Sequence, residues 1–237
     1  MNLHFETVKE AVLKVLDQLM RIEGLKSFRL VGGTALALQF GHRSSVDIDL
    51  FAGGRVDTGP LLEILRSHFT TAFKLISQNR NGLTGTIDNI KVDIVDWKVP
   101  FSQEPIQINE IRMATAPDIF AYKCEAVLDR KAEKDFVDLA IIASHFELDH
   151  LLSVLKSRYP YISTGSICSF LLRKEIIIRD HTTHYFQNFS FDKSADILKD
   201  KIISYERKLQ EKKGMAEDEW LKKIQSIIEL KKSKKKS

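Results

Sequence analysis

The stretch VGGTALALQFGHRSSVDIDLF, residues 31–51, contains two aspartates, Asp47 and Asp49, that alternate with apolar residues. Alternate residues of a β-strand point to the same face, so we expect both carboxylates to project together while Val46 and the apolar residues after it pack behind them. Two neighbouring carboxylates repel each other unless a cation lies between them. Mg²⁺ takes hard oxygen ligands and keeps places open for phosphate. The pair therefore predicts a metal site for phosphoryl or nucleotidyl chemistry; a solvated strand face is the simpler alternative.

A glycine turn precedes the two acids. Gly32, Gly33 and Thr34 follow an apolar run at residues 28–31, which predicts a strand, and precede an apolar run at residues 35–38, which predicts a helix start. A strand, a glycine turn and a helix N-terminus together can bind an anion through backbone N–H groups. Glycine also lets the backbone approach a phosphate closely. An ordinary tight turn is the alternative, and the nearby pair of acids favours the phosphate site.

A third acid is expected on a later strand. Residues 91–97, KVDIVDW, place Asp93 among β-branched residues, which is typical of a strand. Asp96 is an odd number of residues away and should point to the opposite face. We therefore predict that Asp93 joins the first two acids, with an ordinary acid at a strand edge as the alternative.

These motifs resemble those of a known family. GG-T-A-L at residues 32–36, followed by R-x-S-x-D-I-D-L-F at residues 43–51, is similar to the AbiEii/AbiGii-type nucleotidyltransferase toxins of the DNA polymerase β-like superfamily. The resemblance implies an NTP substrate and Mg²⁺ or Mn²⁺ held by the three acids. It also implies that the glycine turn, Thr34, Arg43 and Ser45 contact the nucleotide. Arg43 could neutralise phosphates or hold the acidic strand in place, and the sequence leaves both roles open.

A second group of matching residues lies in residues 117–145, which predict two helices joined by a turn. Such a hairpin would bring Lys123 and Asp138 to one level. The resemblance implies that Lys123 contacts the nucleotide phosphates and that Asp138 completes the site. A surface lysine and a charged helix face are the alternatives. Asp135 could instead tie Arg130 into the hairpin.

The order of predicted elements gives the fold class. Strands and helices alternate up to about residue 115, and everything after Pro117 has the pattern of helices. We predict an α+β protein, with a polymerase β-like mixed sheet in residues 1–115 and a helical domain in residues 116–237 that closes the nucleotide cleft. A single short strand is predicted at residues 106–112, and a helix at residues 167–178.

Composition fits a protein of the reducing cytoplasm. The chain has 237 residues, a net charge of +4 and only two cysteines, Cys124 and Cys168, which lack metal-binding spacing. No run is long enough for a membrane span. The basic tail at residues 230–237 is either a solvated helix end or an arm that follows RNA phosphates. We expect His42 at the surface, and a polar loop rather than a metal site at His181 and His184.

The predicted reaction is metal-dependent transfer of a nucleoside monophosphate from an NTP to a hydroxyl. The resemblance suggests RNA as acceptor, in particular the 3′ end of tRNA, and a toxin neutralised by an antitoxin protein. Two alternatives remain open from the sequence. One is transfer to a small molecule, as in the aminoglycoside nucleotidyltransferases, and the other is a degenerate domain that only binds nucleotide or RNA.

Overall fold

One mixed sheet and a set of helices make up the part of the chain that the structure describes. The structure, a computed structural model, describes the backbone of residues 2–186 and 189–233 and, within these ranges, the side chains up to residue 214. The strands are β1 (Phe28–Val31), β2 (Ile48–Ala52), β3 (Phe73–Asn79), β4 (Gly82–Ile87), β5 (Ile90–Asp96), β6 (Ile106–Ile108) and β7 (Ile111–Met113). The helices are α1 (Glu10–Arg21), α2 (Gly32–Phe40), α3 (Thr58–Phe69), α4 (Ala116–Arg130), α5 (Glu133–His145), α6 (Leu148–Arg158), α7 (Thr164–Leu171) and α8 (Phe191–Ser233).

The sheet has the strand order β3-β4-β5-β2-β1-β7-β6. Its central strand β2 runs antiparallel to β1 and parallel to β5. In this register Asp49 lies directly beside Asp93 on one side and Val31 on the other. The prediction of a mixed sheet followed by helices is confirmed, and the register brings the first acidic motif and the third acid onto adjacent strands.

Local sequence explains where several helices begin and end. Asp57 caps α3 by accepting a hydrogen bond from the backbone N–H of Gly59 at 3.0 Å. Pro117 lies in the first turn of α4, where its missing N–H costs nothing. Helix α2 ends at Gly41, which adopts the left-handed conformation with φ of 65°. These signals fix the helices that flank the centre of the sheet.

Three expectations about local structure were wrong. Val46 does not pack behind the acids, because β2 begins only at Ile48 and half of the Val46 surface is exposed. The single strand predicted at residues 106–112 is a hairpin of β6 and β7, since Asn109 takes a left-handed turn conformation with φ of 52°. The helix predicted at residues 167–178 ends at Leu171 and is followed by a 3₁₀ turn at Lys174–Ile176.

The core is continuous across the predicted domain boundary near residue 116. One cluster of buried apolar side chains contains residues of the sheet, such as Leu30 and Ile94, together with Phe120 of α4 and Phe136 of α5. Helix α2 contacts β1 and β2 as well as α4 and α5. The division into two domains stays a prediction. Among the described residues, no helix has both the length and the apolar character needed to cross a bilayer.

Candidate active site

Asp47, Asp49 and Asp93 lie around the centre of the sheet. Asp49 on β2 is the direct neighbour of Asp93 on β5, and Asp47 belongs to the loop that leads into β2. The buried Thr34 hydroxyl donates to the main-chain oxygen of Asp47, and its oxygen lies 2.9 Å from Ser45 Oγ, which can donate to it. Thr34 therefore fixes the loop that carries Asp47, and its hydroxyl is used within the protein.

Both glycines of the turn are required by side chains of the protein itself. Gly32 has a φ of 67°, and a Cβ there would lie 2.2 Å from Asp49 Oδ2. A Cβ on Gly33 would lie 2.2 Å from Arg43 Nη2. Any larger residue would push the Asp49 carboxylate or the Arg43 guanidinium away. The predicted approach of a phosphate to this turn stays a prediction.

Asp93 is already hydrogen-bonded on both carboxylate oxygens. Thr84, its neighbour on β4, donates to Oδ1 at 2.6 Å, and Lys91 donates to Oδ2 at 2.5 Å. The Lys91 side chain is about half exposed. Its ammonium group therefore supplies a mobile positive charge at a position where a metal ion is predicted.

The donor chemistry of the three acids fits a hard divalent cation. Burial raises the pKa of Asp49 to about 6; Lys123 opposes this rise, and the charges of Asp93 and Asp47 add to it. A cation between these oxygens would relieve the repulsion. Among the described residues, however, no three acidic, histidine or cysteine side chains stand close enough to hold a metal ion. Metal binding would require at least that Lys91 release Asp93, and the three ligands stay a prediction.

Asp138 lies at the centre of a buried ionic network beneath the acids. Arg43 donates to it through two nitrogens, from Nε at 2.7 Å and from Nη2 at 2.8 Å. Lys123 Nζ lies 2.8 Å from Asp138 Oδ2, and His42 Nε2 lies 2.8 Å from Oδ1. Burial alone would raise the pKa of Asp138, but Arg43 and Lys123 outweigh it and hold the pKa well below its usual range. Of the two roles left open for Arg43, this bidentate bond favours holding the acidic strand in place over neutralising phosphates.

The expectation of a surface position for His42 was wrong. Its side chain is fully buried, and burial lowers its pKa, although Asp138 opposes this. A neutral imidazole that donates to Asp138 leaves Nδ1 as an acceptor, and this atom has no partner among the described residues. No sequence signal marked His42, because its partner is 96 residues away.

The predicted helical hairpin of α4 and α5 is present. Lys131 turns the chain between them with a φ of 52°. Asp135 at the start of α5 accepts from Arg130 Nε at 2.5 Å and Nη2 at 2.9 Å, and from Lys123 at 2.7 Å. Asp135 therefore ties Arg130 into the hairpin, which was one of the two roles that the sequence left open for it. Burial would lower the pKa of Lys123, but Asp138 and Asp135 raise it, so the lysine stays charged.

A narrow polar cleft connects the acids with the hairpin, and we call it the acid cleft. It is lined by Gly33, Arg43, Ser45, Asp47, Asp49, Lys91, Asp93, Tyr122, Lys123, Arg130 and Lys134. Most predicted site residues are therefore brought together, but the buried Thr34 and Asp138 side chains do not line the cleft. Lys91, Tyr122, Arg130 and Lys134 are wall residues that the sequence analysis did not select. The sequence could have pointed to Lys91, because it lies two residues before Asp93 on β5 and residues two apart on a strand share a face.

A family model and the chain agree over most of its length. The model described as "Nucleotidyl transferase AbiEii toxin, Type IV TA system" matches residues 14–225. The chain belongs to this AbiEii family. The resemblance noted from residues 32–51 is thereby confirmed, and so is the assignment as a nucleotidyltransferase.

Relatives of this AbiEii family member agree with the fold. "Uncharacterized protein aq_aa25" of Aquifex aeolicus (strain VF5) is 25% identical over 169 residues, which cover 70% of this chain and 82% of the relative. A crystal structure of a "putative nucleotidyltransferase" from H. pylori matches with a TM-score of 0.53 and 20% identity, over 86% of this chain and 98% of the other. The crystal structure of JHP933 from Helicobacter pylori matches with a TM-score of 0.51 and 20% identity, over 87% of this chain and 97% of the other. The polymerase β-like nucleotidyltransferase fold is confirmed.

Within this AbiEii fold, the acid cleft can bind charged groups of both signs. Asp47, Asp49 and Asp93 present carboxylate oxygens to hard cations, whereas Lys123 and Arg130 present positive charge to an anion such as a polyphosphate. Because Lys123 and Arg130 are held by Asp135, their positions are set before a ligand binds. Fixed charges of both signs on opposite walls are the arrangement that phosphoryl transfer requires.

Proposed function

We propose that this protein transfers a nucleoside monophosphate from an NTP to a hydroxyl group of RNA, with the 3′ end of tRNA as the preferred acceptor. The observation that carries the proposal is the register that sets Asp49 beside Asp93, opposite the cationic wall formed by Lys123 and Arg130. RNA as the acceptor is proposed from the family resemblance and from the mildly basic net charge of +4.

Each wall of the acid cleft has a distinct proposed role. Asp47, Asp49 and Asp93 would hold Mg²⁺ or Mn²⁺, which neutralises charge on the triphosphate and lowers the pKa of a bound hydroxyl. Lys123 would contact the triphosphate directly, and Arg43 and Asp138 would keep Lys123 and the acidic loop in place. Gly33 at the start of α2 lines the same cleft, and the backbone N–H groups of this helix N-terminus would add donors for phosphate.

The proposed reaction balances as a single displacement. A bond forms between the acceptor oxygen and the α-phosphorus of the NTP, and the bond from the α-phosphorus to the bridging oxygen of the β-phosphate breaks. Pyrophosphate leaves with that oxygen. The acceptor proton passes to a carboxylate of the cleft, for which we propose Asp93, the acid that β5 places beside Asp49.

The biological setting is proposed from the family. Members are described as toxins of type IV toxin–antitoxin systems, so we infer that the transfer inhibits growth and that an antitoxin protein counteracts it. We place the activity in the reducing cytoplasm because Cys124 and Cys168 are buried free thiols.

A transfer assay tests the reaction. The protein is incubated with each α-labelled NTP in turn, Mg²⁺ and total cellular RNA, and the RNA is separated by size. We expect label in a tRNA-sized band, with a rate at least about 100-fold lower for Asp47→Ala and Lys123→Ala, because each removes a fixed charge at the reacting phosphate.

The matched control is Asp17→Ala, which removes an exposed carboxylate of α1 that pairs with Arg21. This variant should label RNA at the wild-type rate. Labelling that survives Asp47→Ala would place the chemistry elsewhere. Nucleotide binding in the presence of Mg²⁺ without any labelled RNA would contradict the RNA acceptor while leaving the nucleotide site in place.

A further inference from the structure

An aromatic pocket adjoins the acid cleft. It lies between the ends of β2 and β5, helix α4 and the segment after α6. Its wall includes Phe51, Trp97, Tyr122, Glu125, Tyr159 and Tyr161.

Contacts between side chains hold the inner wall of the aromatic pocket, and Tyr161 at its rim packs edge-on against Tyr159 with 5.8 Å between the ring centres. Trp97 Nε1 donates to the Tyr159 hydroxyl at 2.9 Å, and the Arg158 guanidinium lies 3.7 Å from the centre of the Trp97 ring. Tyr161 is 71% exposed and donates its hydroxyl to Glu125. A flat ring that stands in solvent beside a fixed aromatic wall is suited to stacking a nucleobase.

The strands connect the acids with this pocket on one face of the sheet. Phe51 follows Asp49 by two residues on β2, and Val95 follows Asp93 by two residues on β5, so each pair shares a face. Two residues of a strand span roughly 6.6 Å. Tyr122 lines both the acid cleft and the aromatic pocket. A ligand can therefore run from the acids into the pocket without leaving this surface.

A cation pocket lies at the far side of the aromatic pocket. It is lined by Arg55, Arg80, Asn81, Asp96 and Lys98, and it shares Asp96 and Lys98 with the aromatic pocket. The three cationic residues are exposed, and none of them forms an ion pair with a described acidic side chain. They come from three separate segments, so the sheet gathers positive charge at this place.

We propose that the acid cleft, the aromatic pocket and the cation pocket together receive the end of a single-stranded polynucleotide. The terminal hydroxyl lies at the acids, the terminal base stacks on Tyr161, and the phosphate on the 5′ side of that nucleotide binds Arg55, Arg80 and Lys98. This inference rests on the proposed function, since it supplies the acceptor for that transfer.

The order of the three surfaces favours an acceptor strand over other ligands. An NTP carries its phosphates on one side of its base, so an NTP with its triphosphate at Lys123 would leave the cation pocket without a ligand group. A small acceptor such as an aminoglycoside is itself cationic and would be repelled by Arg55, Arg80 and Lys98. A strand end presents a terminal hydroxyl, a base that projects to one side of the sugar, and phosphates that continue away from the hydroxyl, so it offers one suitable group to each of the three surfaces.

Binding measurements without NTP or metal test the inference. A fluorescently labelled short RNA without secondary structure is titrated with the full-length protein, and DNA of the same sequence is measured beside it. We expect Tyr161→Ala to weaken binding about tenfold through lost stacking. Arg55→Ala combined with Arg80→Ala and Lys98→Ala should weaken binding at least about tenfold and reduce the salt dependence by about one to two units of slope.

Matched controls separate these effects from general changes. Tyr161→Phe keeps the ring and should bind as the wild type does. A triple variant of Lys14→Ala, Arg21→Ala and Arg66→Ala removes the same number of charges from exposed ion pairs outside these pockets and should keep the wild-type salt slope. Equal losses in the two triple variants, or unchanged binding by Tyr161→Ala, would overturn the inference.

These experiments distinguish failure of the strand-binding inference from failure of the proposed transfer reaction. If Tyr161→Ala weakens binding of an NTP in Mg²⁺ but not of the strand, the pocket holds the donor base and the inference is overturned while the reaction stands. If both pocket variants lose strand binding but the wild type transfers no label to RNA, the strand site is supported and the reaction is contradicted. In the transfer assay we expect a raised KM for the strand in both pocket variants, with kcat largely kept.

Discussion

Asp49 is a residue whose ionisation the fold opposes. With its pKa raised from 3.8 to about 6 by burial and by Asp93 and Asp47, the folded protein binds a proton between these pH values that the unfolded chain has released. The free energy of unfolding should therefore fall as pH rises through this window, by about 3 kcal/mol at most. Asp49→Asn cannot titrate and should make the metal-free protein more stable than wild type at pH 8.

Urea unfolding in EDTA at pH 5 and pH 8 measures this effect. Asp17→Asn, on the exposed face of α1, should keep the wild-type difference between the two pH values. Added Mg²⁺ at pH 8 should stabilise the wild type and not Asp49→Asn, because the ion would bind the charged carboxylate. An Asp49→Asn protein with the full pH dependence of the wild type would contradict the assignment of the pKa.

Asp138 matters as a counter-charge. Its removal in Asp138→Ala leaves Arg43 and Lys123 buried with too little negative charge, and the loss of one partner from a buried pair costs about 3 to 5 kcal/mol. We expect that loss in the free energy of unfolding by denaturant. The control Asp129→Ala, at an exposed position of α4, should change the free energy of unfolding by less than about 0.5 kcal/mol. An equally small change in Asp138→Ala would contradict the role of Asp138 as a counter-charge.

The sequence was most informative about individual residues that share a local motif. The hairpin spacing around Lys123 brings residues together over a short distance in sequence, which periodicity can predict. The alternation around Asp49 predicted less well, because β2 begins only after Asp47. The partners of Arg43, Lys91 and Thr34 depend on which strands become neighbours. Local patterns do not encode that choice, so the internal use of the Thr34 hydroxyl could not be predicted.

At the scale of elements, the turn between α4 and α5 carries a strained residue. Lys131 has a φ of 52°, and its N–H donates to Val127 at 3.0 Å, which is the usual end of a helix with a left-handed residue. Glycine has no Cβ penalty in this conformation. Lys131→Gly should therefore stabilise the protein by about 0.5 to 1 kcal/mol.

A thermal unfolding series measures the effect of this turn. Lys131→Ala is the matched control, because alanine removes the same charged side chain and keeps the Cβ. It should show no gain in Tm, whereas Lys131→Gly should unfold at a temperature a few degrees higher. A gain of the same size in both variants would attribute the stabilisation to the lost charge.

Elements with strong periodicity were predicted with nearly correct bounds. The two helices predicted within residues 117–145 are α4 (Ala116–Arg130) and α5 (Glu133–His145), since apolar spacing marks both. The hairpin of β6 and β7 was missed because its turn needs a left-handed residue and the sequence supplies Asn109, a permitted but unmarked choice.

At the scale of the whole molecule, the ionic network spans the predicted domain boundary. Arg43 precedes β2, whereas Asp138 lies on α5, and the two are 95 residues apart. A fragment of residues 1–115 would retain the buried Arg43 guanidinium without its counter-charge and would expose the apolar face that α4 and α5 cover. We expect this fragment to lack cooperative unfolding.

Circular dichroism during heating, together with binding of a dye that reports exposed apolar surface, tests the fragment. The full chain should unfold in one transition, and the fragment should bind the dye already at room temperature. Addition of a second fragment, residues 116–237, should restore the transition if the network assembles between the two pieces. A cooperative transition in residues 1–115 alone would instead support independent domains.

The distance in sequence between Arg43 and Asp138 also sets an order of events on the ribosome. At about 5 to 20 residues per second, roughly 5 to 20 s of translation separate the two residues. Until Asp138 emerges, Arg43 lacks its counter-charge, and the acid cleft lacks the residues that α4 and α5 contribute. A nascent or prematurely terminated chain should therefore lack nucleotidyltransferase activity, which should begin only when the hairpin of α4 and α5 is complete.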